Sequence, residues 1–305
     1  MNVLMISGDK NILMPGSGAR LRFELQKASV DRLDAYVWPK MQSWREISLA
    51  AQKTKYDVVT AQDPFWRGLL AWRIARGIGA KLNFQVHTDL SAEPLLRRLL
   101  ANFLLRRADS VRVVSEEIQE QVKAARTTAQ IHILPIFVDV SRFENLTPKY
   151  HSQKTILWIG RFEREKDPLF AIRVLNDVRT KGIDAQLVML GAGGLETVLR
   201  RAAKALPVEF PGWQDTKSYL EVADVVLCTS RYESWGAGII EALAAGVPVV
   251  APDVGVARKA GAYVVSRAEL SSKVIEVLQQ GVRSALLLDL PNAEEWAKQW
   301  RETLV

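Results

Sequence analysis

The sequence has few of the residues that form covalent cross-links or metal sites. Cys228 is the single cysteine, so no disulfide can form within the chain. The residues before it, Val225, Val226 and Leu227, favour a small buried thiol over a nucleophile. The three histidines lie far apart and have no cysteine beside them, which is not the spacing of a metal site. We therefore expect no bound metal.

Long apolar runs and a basic leader are also missing. No apolar stretch approaches the roughly 20 residues of a membrane span, and the opening MNVLMISGD resembles a short strand rather than a signal peptide. A single cysteine is compatible with a reducing compartment. We expect a cytoplasmic globular protein, and a length of 305 residues with 48% hydrophobic composition suits two domains better than one.

Positive charge is concentrated in the first half. Residues 1 to 150 hold 22 Lys and Arg against 15 Asp and Glu, whereas the remaining residues hold 19 of each. Two segments, Phe65 to Arg76 and Leu95 to Arg107, combine arginine with large apolar side chains. Helices of this kind can lie on an anionic membrane surface, which here would be the inner face of the membrane. They can equally pack against the protein core, with the arginine stems covering its edges. Both interpretations stay open. No recognition motif accompanies the charge, so we expect no nucleic acid partner.

Short buried strands alternate with helices along the chain. The alternation runs from Val3 to Leu134, stops in the polar stretch Phe143 to Lys154, and starts again at Thr155. Repeated strand and helix units with short connections form parallel, doubly wound sheets. We therefore predict an α/β protein of two Rossmann-like domains, residues 1–145 and 146–290, that face one another across a deep cleft. Ligands of such sheets bind at the carboxyl ends of the strands.

Two loops of small residues lie between a strand and a helix. Gly16, Ser17 and Gly18 follow the first strand, where small residues let backbone N–H groups approach phosphate oxygens. No Gly-Lys-Ser/Thr follows, so this is not a Walker loop. Gly191 and Gly193, within LGAGG, lack the last glycine of the dinucleotide fingerprint. Both loops are candidates to contact a nucleotide through their backbones.

Two cations follow a buried strand in the segment GRFEREKDP. Arg161 comes just after the strand, and Lys166 lies five residues further on. With no acidic residue opposite each of them, such cations suit a diphosphate. Glu163 and Glu165 alternate with them, so a solvated, salt-bridged turn is the alternative.

His87 ends the strand LNFQV and is expected to face Asp89. At the carboxyl end of a strand, such a polar side chain can point into a ligand cleft. A histidine that ends a strand is, however, more often a hydrogen-bonded structural residue than a catalyst. Both interpretations stay open.

The stretch from Cys228 to Pro252 carries two carboxylates around a helix N-terminus. Glu233 precedes the predicted helix, Glu241 lies eight positions later inside it, and Gly246 ends it. Both carboxylates are within reach of one elongated ligand whose negative centre rests on the N–H groups of the first turn. The alternative is an acidic N-cap at Glu233 and a solvated helix residue at Glu241. A two-carboxylate hydrolase is the competing chemistry, but the spacing favours positions along one ligand over two sides of one bond.

Together these segments resemble the second domain of retaining GT-B glycosyltransferases of family four, which carry an E-x7-E signature. The similarity rests on IGRFEREKDP, LVMLGAGG and the run from FPGWQD to GVPVVA. In the first half QVHTD is similar to the family's strand-end His-Asp pair with one residue inserted, RRADSVRVVSE to its ADxVIxVSE segment, and ILPIFVDVSRF to its IPNGVD linker. The resemblance covers nearly the whole chain and implies a compact member whose last segment, 291–305, is a helix that crosses back to the first domain.

The resemblance implies retaining transfer of a hexose-type sugar from a UDP- or GDP-linked donor to an acceptor hydroxyl, without metal or cofactor. The acceptor class would be a lipid-linked acceptor or an envelope glycan. Arg161 and Lys166 would hold the diphosphate, Glu233 would bind sugar hydroxyls, and Glu241 would bind the ribose. The implied catalytic residues are His87, Arg161, Lys166 and Glu233, none of them a nucleophile. The implied donor-binding residues are Gly16, Gly18, Arg161, Lys166, Gly191, Gly193, Trp213, Glu233, Ser234, Trp235, Gly236, Ala237 and Glu241.

Three features depart from the family pattern, and one is Phe137, which replaces the glycine of the GVD motif. Ser234 and Trp235 stand where the family commonly has glycine and phenylalanine, which changes the pocket around the sugar. The segment after Gly255 is short for the family and lacks its full set of closing helices. A non-catalytic nucleotide-sugar-binding module of the same fold is the alternative function, although the residues whose loss would favour it are present.

Overall fold

The chain forms two compact units. A computed structural model describes residues 1–14, 16–38, 43–149 and 152–305. The first unit comprises Met1–Phe137 and Pro291–Val305, and the second comprises Val138–Leu290. Within the described residues, each unit contains one parallel sheet of six strands, with helices between successive strands.

Strands and helices alternate through both units. The strands are β1 Asn2–Ser7, β2 Arg32–Val37, β3 Val58–Ala61, β4 Lys81–Val86, β5 Ser110–Val113, β6 Gln130–Ile133, β7 Lys154–Ile159, β8 Ala185–Leu190, β9 Val208–Gly212, β10 Val225–Leu227, β11 Val249–Ala251 and β12 Tyr263–Val264. The helices are α1 Gly18–Ala28, α2 Trp44–Lys53, α3 Trp66–Ile78, α4 Leu95–Leu105, α5 Glu116–Ala124, α6 Pro168–Thr180, α7 Glu196–Ala202, α8 Lys217–Leu220, α9 Ala237–Ala244, α10 Ala257–Ala260, α11 Leu270–Gln280 and α12 Ala293–Glu302. Short 3-10 helices cover Lys10–Leu13, Val140–Arg142 and Arg267–Glu269.

The first sheet is covered on both faces. Its strand order is β2-β1-β3-β4-β5-β6, and all neighbours are parallel. In β1 every residue from Val3 to Ser7 is buried, because a strand with helices on both sides has no solvated face. Helices α2 to α5 contribute to the core on one face, and α1 and α12 contribute to the core on the other.

The last helix belongs to the first unit. The side chain of Asn292 accepts the N–H of Glu295, and the Glu295 carboxylate accepts the N–H of Asn292. This reciprocal cap satisfies two backbone donors at the start of α12. Trp296 and Trp300, four positions apart on one helix face, are buried in the same core cluster as Val3. Two buried indoles make α12 an integral part of this unit.

The second sheet has the order β12-β11-β10-β7-β8-β9 and is also parallel. Its first strand in the chain, β7, pairs with β8 on one side and with β10 on the other. The chain therefore builds one side of the sheet, returns to β7, and builds the other side. The carboxyl ends of β7 and β10 flank this point of reversal, which is where open α/β sheets bind ligands. In the first sheet β1 and β3 occupy the corresponding position.

The predicted pair of Rossmann-like domains is confirmed. The second unit begins at Val138, ahead of the expected boundary at residue 145. The reason is that the segment after Val138 bonds to that unit. Arg142 donates to the Asp215 carboxylate at 2.7 Å, and the Lys149 N–H donates to the Glu221 carbonyl oxygen at 2.7 Å. Two residues of the predicted linker fall outside the described part of the chain, which omits Pro15, residues 39–42, Tyr150 and His151.

Candidate active site

Two loops of the second unit meet at the point where its sheet reverses. One follows β7 and spans residues 160–167, and the other follows β10 and spans residues 228–236. The Arg231 N–H donates to the Glu165 carbonyl oxygen at 2.8 Å, which joins the two loops through their backbones. Both loops carry predicted site residues. The fold thus brings together two segments that are far apart in the sequence.

Lys166 and Glu233 form an ion pair between these loops. Lys166 Nζ lies 2.6 Å from Glu233 Oε1, and the side chains are only 16% and 17% exposed. Ser230 Oγ donates a hydrogen bond to the same carboxylate oxygen at 2.7 Å. The expectation that no acid stands opposite Lys166 is therefore wrong, because the loops close on each other. Such a shielded pair is less screened by water than a surface pair, so the ammonium group is oriented within the unit itself.

Arg161 pairs with Glu165 on its own loop, at 2.9 Å. The two side chains are 62% and 41% exposed, so this pair contributes about 0.5 kcal/mol or less. The salt-bridged turn that the sequence left open is what the structure shows for Arg161. A guanidinium held this loosely is available to an anion that approaches from solvent.

Thr229 holds the backbone of the loop that carries Lys166. Its Oγ1 accepts a hydrogen bond from Trp158 Nε1 at 2.9 Å. The same hydroxyl donates toward the carbonyl oxygens of Lys166 and Asp167, which lie at 2.9 and 3.0 Å. Trp158 and Thr229 are both buried, so water does not compete for these bonds. The relay positions the backbone from which the Lys166 side chain extends.

Asp167 directly precedes α6, but its carboxylate does not cap the helix. Its backbone is left-handed, with φ 45° and ψ 53°, and it makes no side-chain cap bond. That conformation costs about 1–2 kcal/mol in a residue with a Cβ atom. The carboxylate instead binds Arg267 at 2.6 Å and Arg231 at 3.0 Å. The two ion pairs offset the strain and tie the loop to the segments that follow β10 and β12.

The glycine cluster after β8 packs against the loop that follows β7. Gly191 has a φ of 148°, and a side chain on it would collide with the Gly160 carbonyl oxygen. A Cβ atom on Gly193 would lie 2.7 Å from the Phe162 carbonyl oxygen. Close approach of two backbones therefore requires glycine at both positions. Contact of this cluster with a nucleotide stays a prediction.

The predicted helix between the two glutamates is α9. Gly236 is its N-cap, with a φ of 102°, and no side chain caps its first turn. Glu233 therefore is not the N-cap. Glu241 is half-buried, and its carboxylate accepts a hydrogen bond from Thr216 Oγ1 at 2.8 Å. Both parts of the alternative interpretation, an acidic cap and a solvated helix residue, are thus wrong. Gly246, with a φ of 73°, follows the end of the helix as predicted.

The remaining predicted donor-binding residues of this unit differ in exposure. Trp235 is buried, with 7% of its surface exposed, whereas Ser234 and Ala237 are half-buried. Trp213 follows β9, and its side chain is 58% exposed. An indole this exposed presents a face on which a ligand ring can stack.

In the first unit, the loop after β1 leads into α1. Gly16 has a φ of 78°, a left-handed conformation that favours glycine. Ser17 is the N-cap, because its Oγ accepts the Arg20 N–H at 3.0 Å and donates to the Asn11 carbonyl oxygen at 2.6 Å. Gly18 is the first residue of α1. The loop is thus shaped by a turn and a cap, and its contact with a phosphate stays a prediction.

His87 follows β4, and its Nε2 atom is buried without a hydrogen-bond partner among the described residues. Burial, with the charges of Arg112 and Arg22, holds the pKa of His87 well below its ordinary value. Its imidazole is therefore neutral at neutral pH. Asp89 accepts bonds from the N–H and the hydroxyl of Ser91, at 2.8 and 2.6 Å. Among the described residues no hydrogen bond joins His87 to Asp89, whose Oδ1 accepts both bonds from Ser91.

Sequence reasoning missed the residues that hold the predicted ones in place. Ser230 lies three positions before Glu233 in the same loop, and this spacing was a usable signal. Thr229 and Arg267 had none, since their partners lie far away in the sequence. The left-handed backbone of Asp167 is likewise not encoded by its residue type.

The site has no cluster suited to a metal. Among the described residues, no three His, Cys, Asp or Glu side chains are grouped so as to hold an ion. Cys228 is half-buried, and burial, with the nearby charge of Glu233, raises the pKa of its thiol. A thiol of this kind is a poor nucleophile at neutral pH, as the sequence favoured.

Two family models match the chain, one in each half. The model described as Glycosyltransferase Family 4 matches residues 12–142, and the model described as Glycosyl transferases group 1 matches residues 153–300. Alpha-monoglucosyldiacylglycerol synthase of Streptococcus pneumoniae is 24% identical over 66% of this chain and 53% of its own length. The GDP-mannose-dependent alpha-(1-6)-phosphatidylinositol dimannoside mannosyltransferase of Mycobacterium tuberculosis is 34% identical over 32% of this chain and 27% of its own. The chain spans about half the length, or less, of these curated relatives.

Solved structures share the fold over nearly the whole chain. HepE of Anabaena, a crystal structure in complex with UDP and glucose, has a TM-score of 0.71 at 17% identity, covering 98% of this chain and 95% of its own. Sucrose-phosphate synthase from Thermosynechococcus elongatus has a TM-score of 0.72 at 16% identity, covering 100% and 95%. With two parallel Rossmann-like sheets and a matching model in each half, the chain has the GT-B fold and belongs to the family 4 and group 1 glycosyltransferases.

Proposed function

We propose that this chain transfers a hexose-type sugar from a nucleotide diphosphate sugar to an acceptor hydroxyl, with retention at the anomeric carbon and without a metal ion. One observation carries the proposal: the shielded Lys166–Glu233 pair joins the loop after β7 to the loop that leads into α9, whose first turn has no side-chain cap. One relative is named for GDP-mannose, and one structural neighbour was solved with UDP and glucose. They support a UDP- or GDP-linked donor.

Donor binding follows from the charges and hydrogen-bonding groups of the second unit. The Lys166 ammonium and the Arg161 guanidinium bind the diphosphate, and the N–H groups at the start of α9 add a partial positive charge. Glu233, bonded to Lys166, accepts hydrogen bonds from sugar hydroxyls. Glu241, oriented by Thr216, accepts those of the ribose. An elongated donor thus lies along α9, with its sugar toward Glu233.

The chemical step uses the leaving group itself. The bond between the anomeric carbon and the phosphate oxygen breaks, while the acceptor oxygen bonds to that carbon from the same face and its proton passes to the leaving phosphate. Lys166 stabilises the negative charge that develops on the phosphate. Glu233 is an unsuitable nucleophile, because Lys166 and Ser230 both bind its carboxylate. The neutral imidazole of His87 is assigned to the sugar near the reacting carbon, as the resemblance implies.

A donor screen tests the activity. Purified protein is incubated with UDP-, GDP- and ADP-linked hexoses, and release of the nucleoside diphosphate is followed with and without EDTA. Proton coupling constants of the product give its anomeric configuration. Release that EDTA leaves unchanged, with a retained product, supports the proposal. Binding without release or transfer, at any acceptor tried, establishes instead the alternative of a non-catalytic nucleotide-sugar-binding module.

A surface on α4 favours an acceptor at an anionic membrane. Its apolar residues Leu95, Leu96 and Leu99 are 68%, 72% and 57% exposed, far more than core-facing side chains would be. Arg98, on the same helix, is exposed and has no ion-pair partner among the described residues. Exposed apolar side chains beside arginine suit the interface of an anionic bilayer, where each cation contributes about 1 kcal/mol. None of the helices in the described residues has the length and apolar character needed to cross a membrane.

A groove between α2 and α3 lies next along the same side of the first sheet. It encloses about 450 Å³ and is lined by the apolar side chains of Trp44 and Leu49 and by the cations Arg45 and Arg73. Arg73 lies over the Trp44 ring at 5.6 Å. We assign this groove, together with the α4 surface, to the headgroup of a lipid and the upper part of its acyl chain.

Vesicle sedimentation tests the membrane assignment. Wild-type protein is expected to bind vesicles that contain phosphatidylglycerol, more weakly at high salt, and to ignore neutral vesicles. The double substitution Leu96→Glu with Leu99→Glu removes binding. Leu287→Glu, at an equally exposed leucine of the second unit, is the matched control and leaves binding intact. Tight binding to RNA or DNA with no binding to vesicles would overturn the assignment.

A further inference from the structure

Four buried side-chain nitrogen atoms have no hydrogen-bond partner among the described residues: His87 Nε2, Arg97 Nε, His132 Nε2 and Trp235 Nε1. Two of them belong to residues that the resemblance implies for the site, His87 as a catalytic residue and Trp235 as a donor-binding residue. A buried N–H without an acceptor destabilises the folded protein. When such a group lies at a binding site, the ligand is the natural source of the missing acceptor.

Other buried indoles of this chain are fully paired. Trp158 Nε1 donates to Thr229 at 2.9 Å, and Trp296 Nε1 donates to the Pro135 carbonyl oxygen at 2.8 Å. Trp300 Nε1 donates to Gln85 Oε1 at 3.2 Å. Trp235 is the exception among these buried tryptophans.

The backbone holds Trp235 in place. Its carbonyl oxygen accepts the Val256 N–H at 3.0 Å. Gly255, with a φ of 50°, approaches the same carbonyl so closely that a Cβ atom would lie 2.5 Å from it. Trp235 also lies directly before Gly236, the N-cap of α9, and two residues after Glu233. The backbone of Trp235 is thus fixed on the segment that carries the proposed donor contacts, and the side chain that extends from it is buried.

We propose that the indole N–H of Trp235 donates a hydrogen bond to an oxygen of the bound nucleotide sugar. The inference rests on the proposed function, because it needs a ligand at the start of α9. An indole N–H is a donor only, so it selects an oxygen acceptor, either a phosphate oxygen or a sugar hydroxyl. The side chain acts as a binding residue that distinguishes this chain from relatives with phenylalanine, whose ring has no N–H to donate.

The substitution Trp235→Phe tests the inference by titration calorimetry and thermal unfolding. Without ligand, both substitutions remove buried ring atoms, but only the matched control Trp296→Phe, in the first unit, also loses a paired N–H. Trp235→Phe is therefore expected to lose about 2–4 °C less in unfolding temperature than Trp296→Phe. With ligand, Trp235→Phe binds about tenfold more weakly, whereas Trp296→Phe binds as wild type.

The ligand series locates the acceptor oxygen. If Trp235→Phe weakens binding of UDP or GDP alone, the N–H binds a phosphate oxygen. If it weakens only the nucleotide sugar, the N–H binds the sugar, and either result supports the inference. Equal binding by Trp235→Phe and wild type overturns it. Wild-type protein that is folded but binds no nucleotide or nucleotide sugar contradicts the proposed function itself, which is a different failure.

A second measurement needs no substitution. The indole nitrogen resonance of Trp235 in wild-type protein is followed while the nucleotide sugar is added. A new hydrogen bond is expected to move the attached proton downfield and to slow its exchange with solvent. A resonance that already shows slow exchange without ligand, and does not move, means that the N–H has a partner in the free protein, which overturns the inference.

Discussion

The two units arrange their polar side chains differently. In the second unit charged groups on the loops that follow the strands form ion pairs, Lys166 with Glu233 and Asp167 with Arg267. In the first unit neutral amides and hydroxyls lie buried within the strands, and one of them, Gln85 of β4, bonds to the buried Arg112 of β5. The same fold therefore carries ion pairs beyond the strand ends of one sheet and a polar core within the strands of the other.

Arg112 is held without an acid. Its guanidinium donates to the carbonyl oxygens of Leu134 and Pro135, at 2.9 and 2.8 Å, and to Gln85 Oε1 at 2.8 Å. Gln85 Oε1 also accepts the Trp300 indole N–H at 3.2 Å. Burial lowers the pKa of Arg112 to about 9, so the group stays charged at neutral pH. No carboxylate in the described residues pairs with it, and its positive charge is not neutralised.

The two cations differ in how firmly they are positioned and in how much electrostatic potential they exert on their surroundings. A paired cation such as Lys166 is held at a defined place, and its carboxylate partner cancels part of its field. An unpaired cation such as Arg112 keeps its field and adds to the effect of burial in lowering the pKa of His87. Removing a charge is therefore expected to displace its partner groups in the second unit. In the first unit it is expected to change how stability depends on pH.

Lys166→Ala is expected to have the largest effect. It removes the cation that stabilises the leaving phosphate, and loss of one such group lowers kcat about 10²–10³-fold. Initial rates of sugar transfer at saturating donor measure the change. The control is Lys154→Ala, which breaks a pair with Asp224 at 2.9 Å at the opposite end of β7. Its rate should stay within about twofold of wild type, and an equal loss in both variants would contradict the role of Lys166.

Gln85→Leu is expected to destabilise the first unit by about 3 kcal/mol. It removes the acceptor of Arg112 and Trp300 together, and buried donors left unpaired cost about 1–3 kcal/mol each. Hydrogen exchange of the β4 and β5 amides reports on this unit alone. In the second unit, Gln186→Leu breaks one bond to Thr155, of 3.0 Å, and should cost about 1 kcal/mol. If both substitutions cost the same, Gln85 does not hold Arg112 and Trp300 together as their shared acceptor.

The sequence predicts the fold well because the fold depends on local patterns. Buried apolar runs such as Val3 to Ile6 alternate with capped helices, and this regular order is enough to predict two parallel sheets. The residue types of the site were also predictable, because polar side chains that follow strands gather at one edge of a sheet. The loops that hold Lys166 and Glu233 were identified in this way.

The pairings within the site were not predictable. The Lys166–Glu233 contact joins segments separated by a complete strand and helix series, and nothing local distinguishes it from two free charges. The Glu241 bond to Thr216 is equally remote in the sequence. Strained or unpaired groups, such as Asp167 and the Trp235 indole, are invisible in sequence because they contradict the preferences that prediction relies on.

Asp167 offers a smaller test of the ion-pair side of the comparison. Asp167→Ala loses both arginine contacts and keeps the strained backbone, so we expect about 2 kcal/mol of destabilisation in α6. Asp167→Gly relieves the strain, and Asp167→Asn tolerates the left-handed backbone, so each should cost about 1 kcal/mol. Hydrogen exchange of the α6 amides measures all three. A larger loss of stability for Asp167→Gly than for Asp167→Ala would show that the left-handed backbone at this position is not strained.

His87 gives the smallest effect and the sharpest contrast in pH. Its pKa is held below the ordinary value of 6.5 in the folded protein, so the unfolded chain takes up the proton first as the pH falls. The stability that the neutral imidazole confers is therefore present above pH 6.5 and is lost progressively as the pH falls below it. Hydrogen exchange of the β4 amides should show this loss in wild type and not in His87→Gln. The α6 amides of the second unit should not respond to the substitution, because no histidine is buried among the described residues of that unit. The same pH slope in both proteins would mean that the folded protein does not lower the pKa of His87 and that the two units differ less than their hydrogen bonds suggest.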